Sequence, residues 1–346
     1  MYKIKIDDYM GGFGYDEINC NNHCIIAAAG SYVEEYYVWI TLLFACEMNW
    51  GEPSAIDNDW FIFHNQILKK FGLYIQADRV SNNLEYVNYI IDKIRSKCPI
   101  ILFLSSAYIP WNNTHYKKES EALHGIIICG YDEERELFYI KDNSIINSSG
   151  FDKKNSISTN TMWEFCLPYE IVFDMIKKSN NYLQSIHNNY CNKIFSLVRQ
   201  SPPLINNSIE LFEFILHKYD VFRFNRFANY INSPLSKLQA SYLADNVTLM
   251  ANRLDFWGNY NIIFRILDVF CFQYGEQKIM DELSEVRATY MRNRNIMFNL
   301  KTKSIIMDKP LGRNKIDELI KNIYEDDSIL FFYFKRILLT ALSNNK

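Results

Sequence analysis

His124-Gly-Ile-Ile-Ile-Cys-Gly-Tyr-Asp-Glu-Glu-Arg-Glu-Leu-Phe-Tyr-Ile-Lys-Asp-Asn, residues 124–143, reads as two strands around a charged turn. The first strand is the apolar run that follows His124. The turn is Asp132-Glu133-Glu134-Arg135, and the second strand runs from Leu137 to Lys141, ending at Asp142-Asn143. By pattern this is a β-hairpin. A two-residue turn at 133–134 sets His124 opposite Asn143, and a single bulge moves it to Asp142. Directly paired side chains share a face of the sheet. The hairpin therefore brings an imidazole beside a carboxylate or a carboxamide.

Upstream, residues 105–123 are polar with aromatics interleaved, including Tyr108, Trp111 and Tyr116. Such a loop is either the wall of a substrate channel or a surface loop pinned by Trp111 and Tyr116. Before it, Pro99 opens a strand over 100–104, and residues 83–97 read as an amphipathic helix with Leu84, Val87, Ile90, Ile91 and Ile94 on one side. Residues 59–76 are apolar and include a helix ending at Gly72; His64 inside them reads as a core or rim histidine.

Nearer the start, Gly14-Tyr-Asp-Glu-Ile-Asn-Cys-Asn-Asn-His-Cys-Ile-Ile-Ala-Ala-Ala29 puts Cys20 between a polar loop and an apolar helix running to about Met48, with Gly30-Ser31 read as a break in it. Asn19, Asn21 and Asn22 are cap-type residues. The first N–H groups of a helix carry partial positive charge, which favours thiolate over thiol. Cys20 is thus the candidate nucleophile. Cys24, one turn on, reads as buried, and Cys129 as core. Cys20, His124 and Asp142 form in that order a nucleophile, a base and an orienting group. A metal site on Cys20, His23 and Cys24 lacks a second pair of ligands at suitable spacing. Gly11, Gly12 and Gly14 are followed by no Gly-Lys-Ser/Thr, which argues against a phosphate loop.

The totals narrow the class. The 346 residues suggest two domains, and 49% apolar content is enough for real cores. With 37 basic against 40 acidic residues, the chain lacks the basic footprint of a nucleic-acid binder. Its 12 glycines are about half the usual share of roughly 7%, which disfavours a Gly-rich nucleotide fold. No signal peptide is read at the N-terminus, and the apolar runs near 99–104 and 329–334 are too short to span a bilayer. Eight cysteines without compact spacing suggest reduced thiols, so the expectation is a soluble cytoplasmic protein with no membrane contact.

Residues 144–160 read as a loop, and 163–176 as the close of the first domain. The polar run 177–181 reads as a boundary, giving domains of 1–178 and 179–346. Beyond it the character is helix upon helix, with candidates at 205–218, 222–232, 234–257, 259–273, 275–299, 314–324 and 327–342. Arg287, Arg292 and Arg294 lie toward the end of one of them, which suits the helix dipole; a docking surface for an acidic partner is the alternative.

Taken together, these residues resemble the N-terminal domain of the butirosin-biosynthesis BtrH-like family, papain-like cysteine proteins of antibiotic and nonribosomal-peptide pathways. The matching features are Asn19-Cys20 with small and aliphatic residues after it, Tyr37, Phe44 and the Trp50 region. The helix–Pro99–strand unit, Ile109-Pro110-Trp111 with Tyr116, and His124 through Asp132 to Asp142 complete the match, over roughly residues 14–175. The resemblance implies an α+β papain-like domain, an N-terminal helix packed on an antiparallel sheet, followed by an all-helical domain. It implies acyl transfer: an aminoacyl or peptidyl group leaves the phosphopantetheine thioester of a carrier protein for the cysteine, and an amine acceptor takes it as an amide. The protein itself would bind no cofactor. Carried over by position, the nucleophile is Cys20, the base His124 and the orienting residue Asp142. Papain-like peptidases place a Gln before the Cys to hold the oxyanion; here Asp16, Asn19 and Asn143 are the side chains at hand. The alternatives are a cysteine peptidase or thioesterase with water as acceptor, and a non-catalytic scaffold that binds carrier protein.

Overall fold

A computed structural model of the chain describes residues 1–6, 20–32, 60–80, 83–111, 123–142, 162–186 and 190–207, together with individual positions between 210 and 343. The chain divides into two compact units. The first is Met1–Thr41 with Asp59–Leu204, and the second is Leu42–Asn58 with Ile205–Lys346.

The first unit is mixed α+β, built on one antiparallel sheet. Its strands are β1 (Tyr2–Lys3), β2 (Leu73–Arg79), β3 (Ile100–Ser105), β4 (Leu123–Asp132), β5 (Leu137–Asp142), β6 (Trp163–Pro168) and β7 (Lys193–Arg199). Their order across the sheet is β2-β7-β3-β4-β5-β6, with β1 on the far end of β4. The helices are α1 (Cys20–Gly30), α2 (Trp60–Leu68), α3 (Asn83–Arg95) and α4 (Tyr169–Ile186).

Every residue of β3 is buried, as is all of β4 past its first residue. Successive side chains point to opposite faces, so both faces of the sheet's middle are covered. That is why Ile-Ile-Leu-Phe-Leu and Gly-Ile-Ile-Ile-Cys read as unbroken apolar runs instead of alternating ones. From Cys24 on, α1 is apolar all round: Cys24, Ile25 and Ala27 to Ala29 have no exposed surface. A helix of that kind belongs inside a core, and α1 packs on β4 and β3. α3 instead buries one stripe, Tyr86, Ile90, Ile91 and Ile94, and leaves Glu85 and Asp92 in solvent.

Gly72 links α2 to β2. A 3-10 turn, Lys69–Phe71, follows α2, and Gly72 then takes φ +71°, the left-handed region. A Cβ there would overlap the carbonyl oxygen of Ser201, so only glycine fits. Next to it, the buried Asn65 side chain brackets Ile75. Its Oδ1 accepts from the Ile75 N–H at 2.7 Å and its Nδ2 donates to the Ile75 carbonyl at 3.1 Å. The amide occupies the hydrogen-bonding groups that β2 turns away from β7.

Several expectations change. Residues 73–79, 163–168 and 193–199, none of them named as strands from the sequence, all pair in the sheet. The polar run 177–181 lies inside α4: Lys177 and Lys178 face solvent while Ser179 is buried, its Oγ accepting from the Ser105 N–H at 3.0 Å. The junction expected at 178/179 therefore falls within a helix, and the first unit runs on to Leu204. The break read at Gly30-Ser31 coincides with the end of α1; the continuation to Met48 lies outside the described residues. The described positions beyond Asn207 are helical. Among the described residues, no helix is long and apolar enough to cross a membrane.

Candidate active site

β4 and β5 bring the imidazole and the carboxylate together, by a different register from the one expected. The turn between them is four residues, 133–136, in place of two. Asp132 pairs with Leu137 and Gly130 with Tyr139; a bulge at Cys129 shifts the register, and Ile127 then pairs with Lys141. One residue further, Asp142 falls across from Ile126. His124, two residues before Ile126 on the same face, is therefore the diagonal neighbour of Asp142. His124 Nε2 and Asp142 Oδ1 are 2.8 Å apart, and the two residues are 3% and 0% exposed.

The second oxygen of Asp142 is also engaged. Trp111 Nε1–H donates to Asp142 Oδ2 at 2.5 Å. The Trp111 ring packs edge-on against Phe165 of β6, with centroids 4.4 Å apart. Phe165 pairs with Ile140 and Trp163 with Asp142, so β6 runs beside the end of β5. An indole nitrogen only donates. With its ring proton on Nε2, His124 also donates, and Asp142 accepts through both oxygens. A neutral imidazole in that tautomer carries its lone pair on Nδ1, the nitrogen able to take a proton. The sequence marked Trp111 as a channel or loop-pinning residue and missed its bond to Asp142. The available signal was that a part-buried Trp needs a partner for its N–H.

α1 begins at Cys20; the side chain of Cys20 lies outside the described residues. The far end of the helix is tied to the sheet. Tyr32, just past α1, donates its hydroxyl to the Leu197 carbonyl at 2.6 Å, and the Leu197 N–H donates to the Pro99 carbonyl at 3.1 Å. The end of α1 thus sits by the start of β3. At its other end Asn22, two residues past Cys20, is tied to His64 of α2.

The other marked residues are placed as follows. Tyr108 closes a 3-10 turn after β3 and is half-buried. Arg287 is half-buried on a helix and Arg292 exposed at a helical position. Asp16, Asn19, Asn143, Tyr116 and Arg294 lie outside the described residues. His64 is in the core, 1% exposed, its Nε2 2.8 Å from Asn22 Oδ1, and so ties α2 to α1. Cys24 and Cys129 are fully buried thiols. Burial, with the Glu164 carboxylate adding to it, pushes the Cys129 thiol up to about 12, which makes it a poor nucleophile. Among the described residues no group of three His, Cys, Asp or Glu side chains could hold a metal ion. No protein-family model matches the chain, and no curated protein matches its sequence.

Proposed function

We propose that the chain is a cysteine acyltransferase with a papain-like catalytic unit followed by a helical one, in which Cys20 is the nucleophile, His124 the base and Asp142 the orienting group. The buried His124–Asp142 bond at 2.8 Å carries this reading. A carboxylate that fixes one imidazole nitrogen prepares the other to take a proton from a thiol. Cys20, the first residue of α1, adds the nucleophile by its place at a helix N-terminus. The substrate class rests on the resemblance to BtrH-like proteins.

In the first half-reaction Cys20 Sγ attacks the carbonyl of an aminoacyl or peptidyl thioester held on a carrier protein. His124 takes the thiol proton, the C–S bond to phosphopantetheine breaks, and the leaving thiolate is protonated. In the second an amine attacks the Cys20 thioester, His124 takes the amine proton, and the released Cys20 thiolate leaves an amide product. The oxyanion is held by the Cys20 N–H together with the side-chain amide of Asn19 or Asn143, since Asp16 as a carboxylate accepts and does not donate. Arg287, Arg292 and Arg294 are the proposed contacts for an acidic carrier. No cofactor of the protein's own takes part. The proposed setting is the cytoplasm, where thiols stay reduced.

The test is intact-protein mass spectrometry after mixing with an aminoacyl carrier-protein thioester, with wild type, Cys20→Ala and Cys24→Ala in parallel. The expected result is an acyl adduct on wild type and Cys24→Ala and none on Cys20→Ala, with amide formed once an amine is added. An adduct that survives Cys20→Ala, or acid as the sole product at saturating amine, overturns the proposal; the second outcome makes the protein a hydrolase.

A further inference from the structure

We infer that Trp111 is a positioning residue for the His124–Asp142 pair, holding through its indole N–H the carboxylate oxygen that His124 does not use. This rests on the reading of His124 as the base. A carboxylate with one oxygen on the imidazole can still pivot about its Cβ–Cγ bond. Asp142 is fully buried, and the indole N–H at 2.5 Å meets its second oxygen. Two donors from different segments fix the carboxylate plane, and with it the tautomer and tilt of the imidazole.

The indole is itself held. Its ring lies edge-on against Phe165 at 4.4 Å and 70°, an arrangement aromatic pairs favour. Ile109, two residues earlier, is fully buried, and its N–H donates to the Ser106 carbonyl at 3.4 Å. The segment leaving β3 is thus anchored on both sides of Pro110. Among the described residues, the segment after β3 and the start of β4 each hold one oxygen of the carboxylate, and Phe165 of β6 holds the indole.

The experiment uses the full chain with Trp111→Phe, and with 3-benzothienylalanine in place of Trp111, which keeps the ring shape and replaces N–H by sulfur. The first readout is the downfield proton resonance of the His124 ring N–H, assigned by its loss in His124→Gln. The second is kcat and KM for transfer from an aminoacyl carrier-protein thioester. The expected result in both variants is a shifted or exchange-broadened His124 resonance, with kcat lower by roughly ten- to a hundredfold and KM within about twofold. The benzothienyl variant serves if the phenylalanine variant fails to fold. An unchanged resonance with unchanged kcat overturns the inference, as does a raised KM at unchanged kcat, which would make the indole a substrate contact. If wild type transfers no acyl group, the function proposed above falls, while the resonance still decides whether Trp111 positions the pair.

Discussion

His124 and Asp142 meet on the diagonal of the β4–β5 ladder, 2.8 Å apart, with Ile126 and not His124 directly across from the carboxylate. Asp142→Asn keeps the volume but exchanges an acceptor for a group that also donates, and so favours the wrong imidazole tautomer. We expect acyl transfer, and iodoacetamide labelling of Cys20 near neutral pH, to fall by about two to four orders of magnitude with the circular dichroism unchanged. Labelling that stays close to the wild-type rate would remove Asp142 from the site.

Gly72→Ala meets two obstacles, a left-handed backbone and the Ser201 carbonyl oxygen in the path of the new Cβ. The backbone must move, because the obstructing atom is main chain. Urea denaturation should show a loss of about 2–4 kcal/mol, well beyond the usual cost of a surface substitution. A loss under about 0.5 kcal/mol would show that the 72–201 contact gives way easily.

Asn65→Ala removes both hydrogen bonds to Ile75, leaving a buried N–H and a buried carbonyl without that partner. The expected cost is about 2–4 kcal/mol. Asn65→Asp should do no better, since a carboxylate cannot donate to the Ile75 carbonyl. Both variants also uncover hydrogen-bonding groups of β2, so light scattering should rise with protein concentration. Monodisperse variants of wild-type stability would disprove the bracketing role.

Cys129 makes the fold sensitive to alkali. Its folded thiol is raised to about 12, first by burial and then by Glu164, while an unfolded thiol titrates near 8.5. The folded state keeps a proton that the unfolded state releases. The contribution is complete below about pH 8.5 and is lost as pH rises toward 12, at up to roughly 1.4 kcal/mol per pH unit. Above about pH 10 two tyrosines add to the loss, since burial also raises Tyr86, and partial burial with the Asp78 hydrogen bond raises Tyr89. Urea midpoints between about pH 9 and 10 should therefore fall less steeply in Cys129→Ala. Equal slopes would place the sensitivity elsewhere.

The hairpin was legible because its information is local: two apolar runs and a charged turn within twenty residues. The turn length was not. Asp132 to Glu136 contains no glycine or asparagine to mark the left-handed position, and Glu136 takes φ 53° itself. Asp132 helps, its Oδ1 accepting from the Arg135 N–H at 3.2 Å. The pairing of His124 with Asp142 survived this error because a bulge and a longer turn displaced the register along the strand without separating the two side chains. β2 and β7 were hidden for a different reason. Leu73 pairs with Arg199, and nothing near either residue in the chain announces the other. The polar run at 177–181 looked like a linker because the exposed face of α4 gathers its lysines there. The bond from Trp111 to Asp142 joins a turn to a strand end, and no periodicity encodes such a contact.

The position of β7 bears on how the protein is made. Strands β2 and β3 are not neighbours; β7 lies between them, paired with β2 along its whole length and with β3 at Ile100 and Ile101. On a nascent chain β2 emerges long before its partner. Until Lys193–Arg199 has left the ribosome, Leu73 and Ile75, both buried in the finished fold, have no described strand beside them. Non-local closure of this kind is slow and leaves apolar edges open to other chains. The pair that binds His124 to Asp142 can form early, but the wall that completes its sheet is delivered last, so translation must pass residue 199 before the first unit can fold to completion.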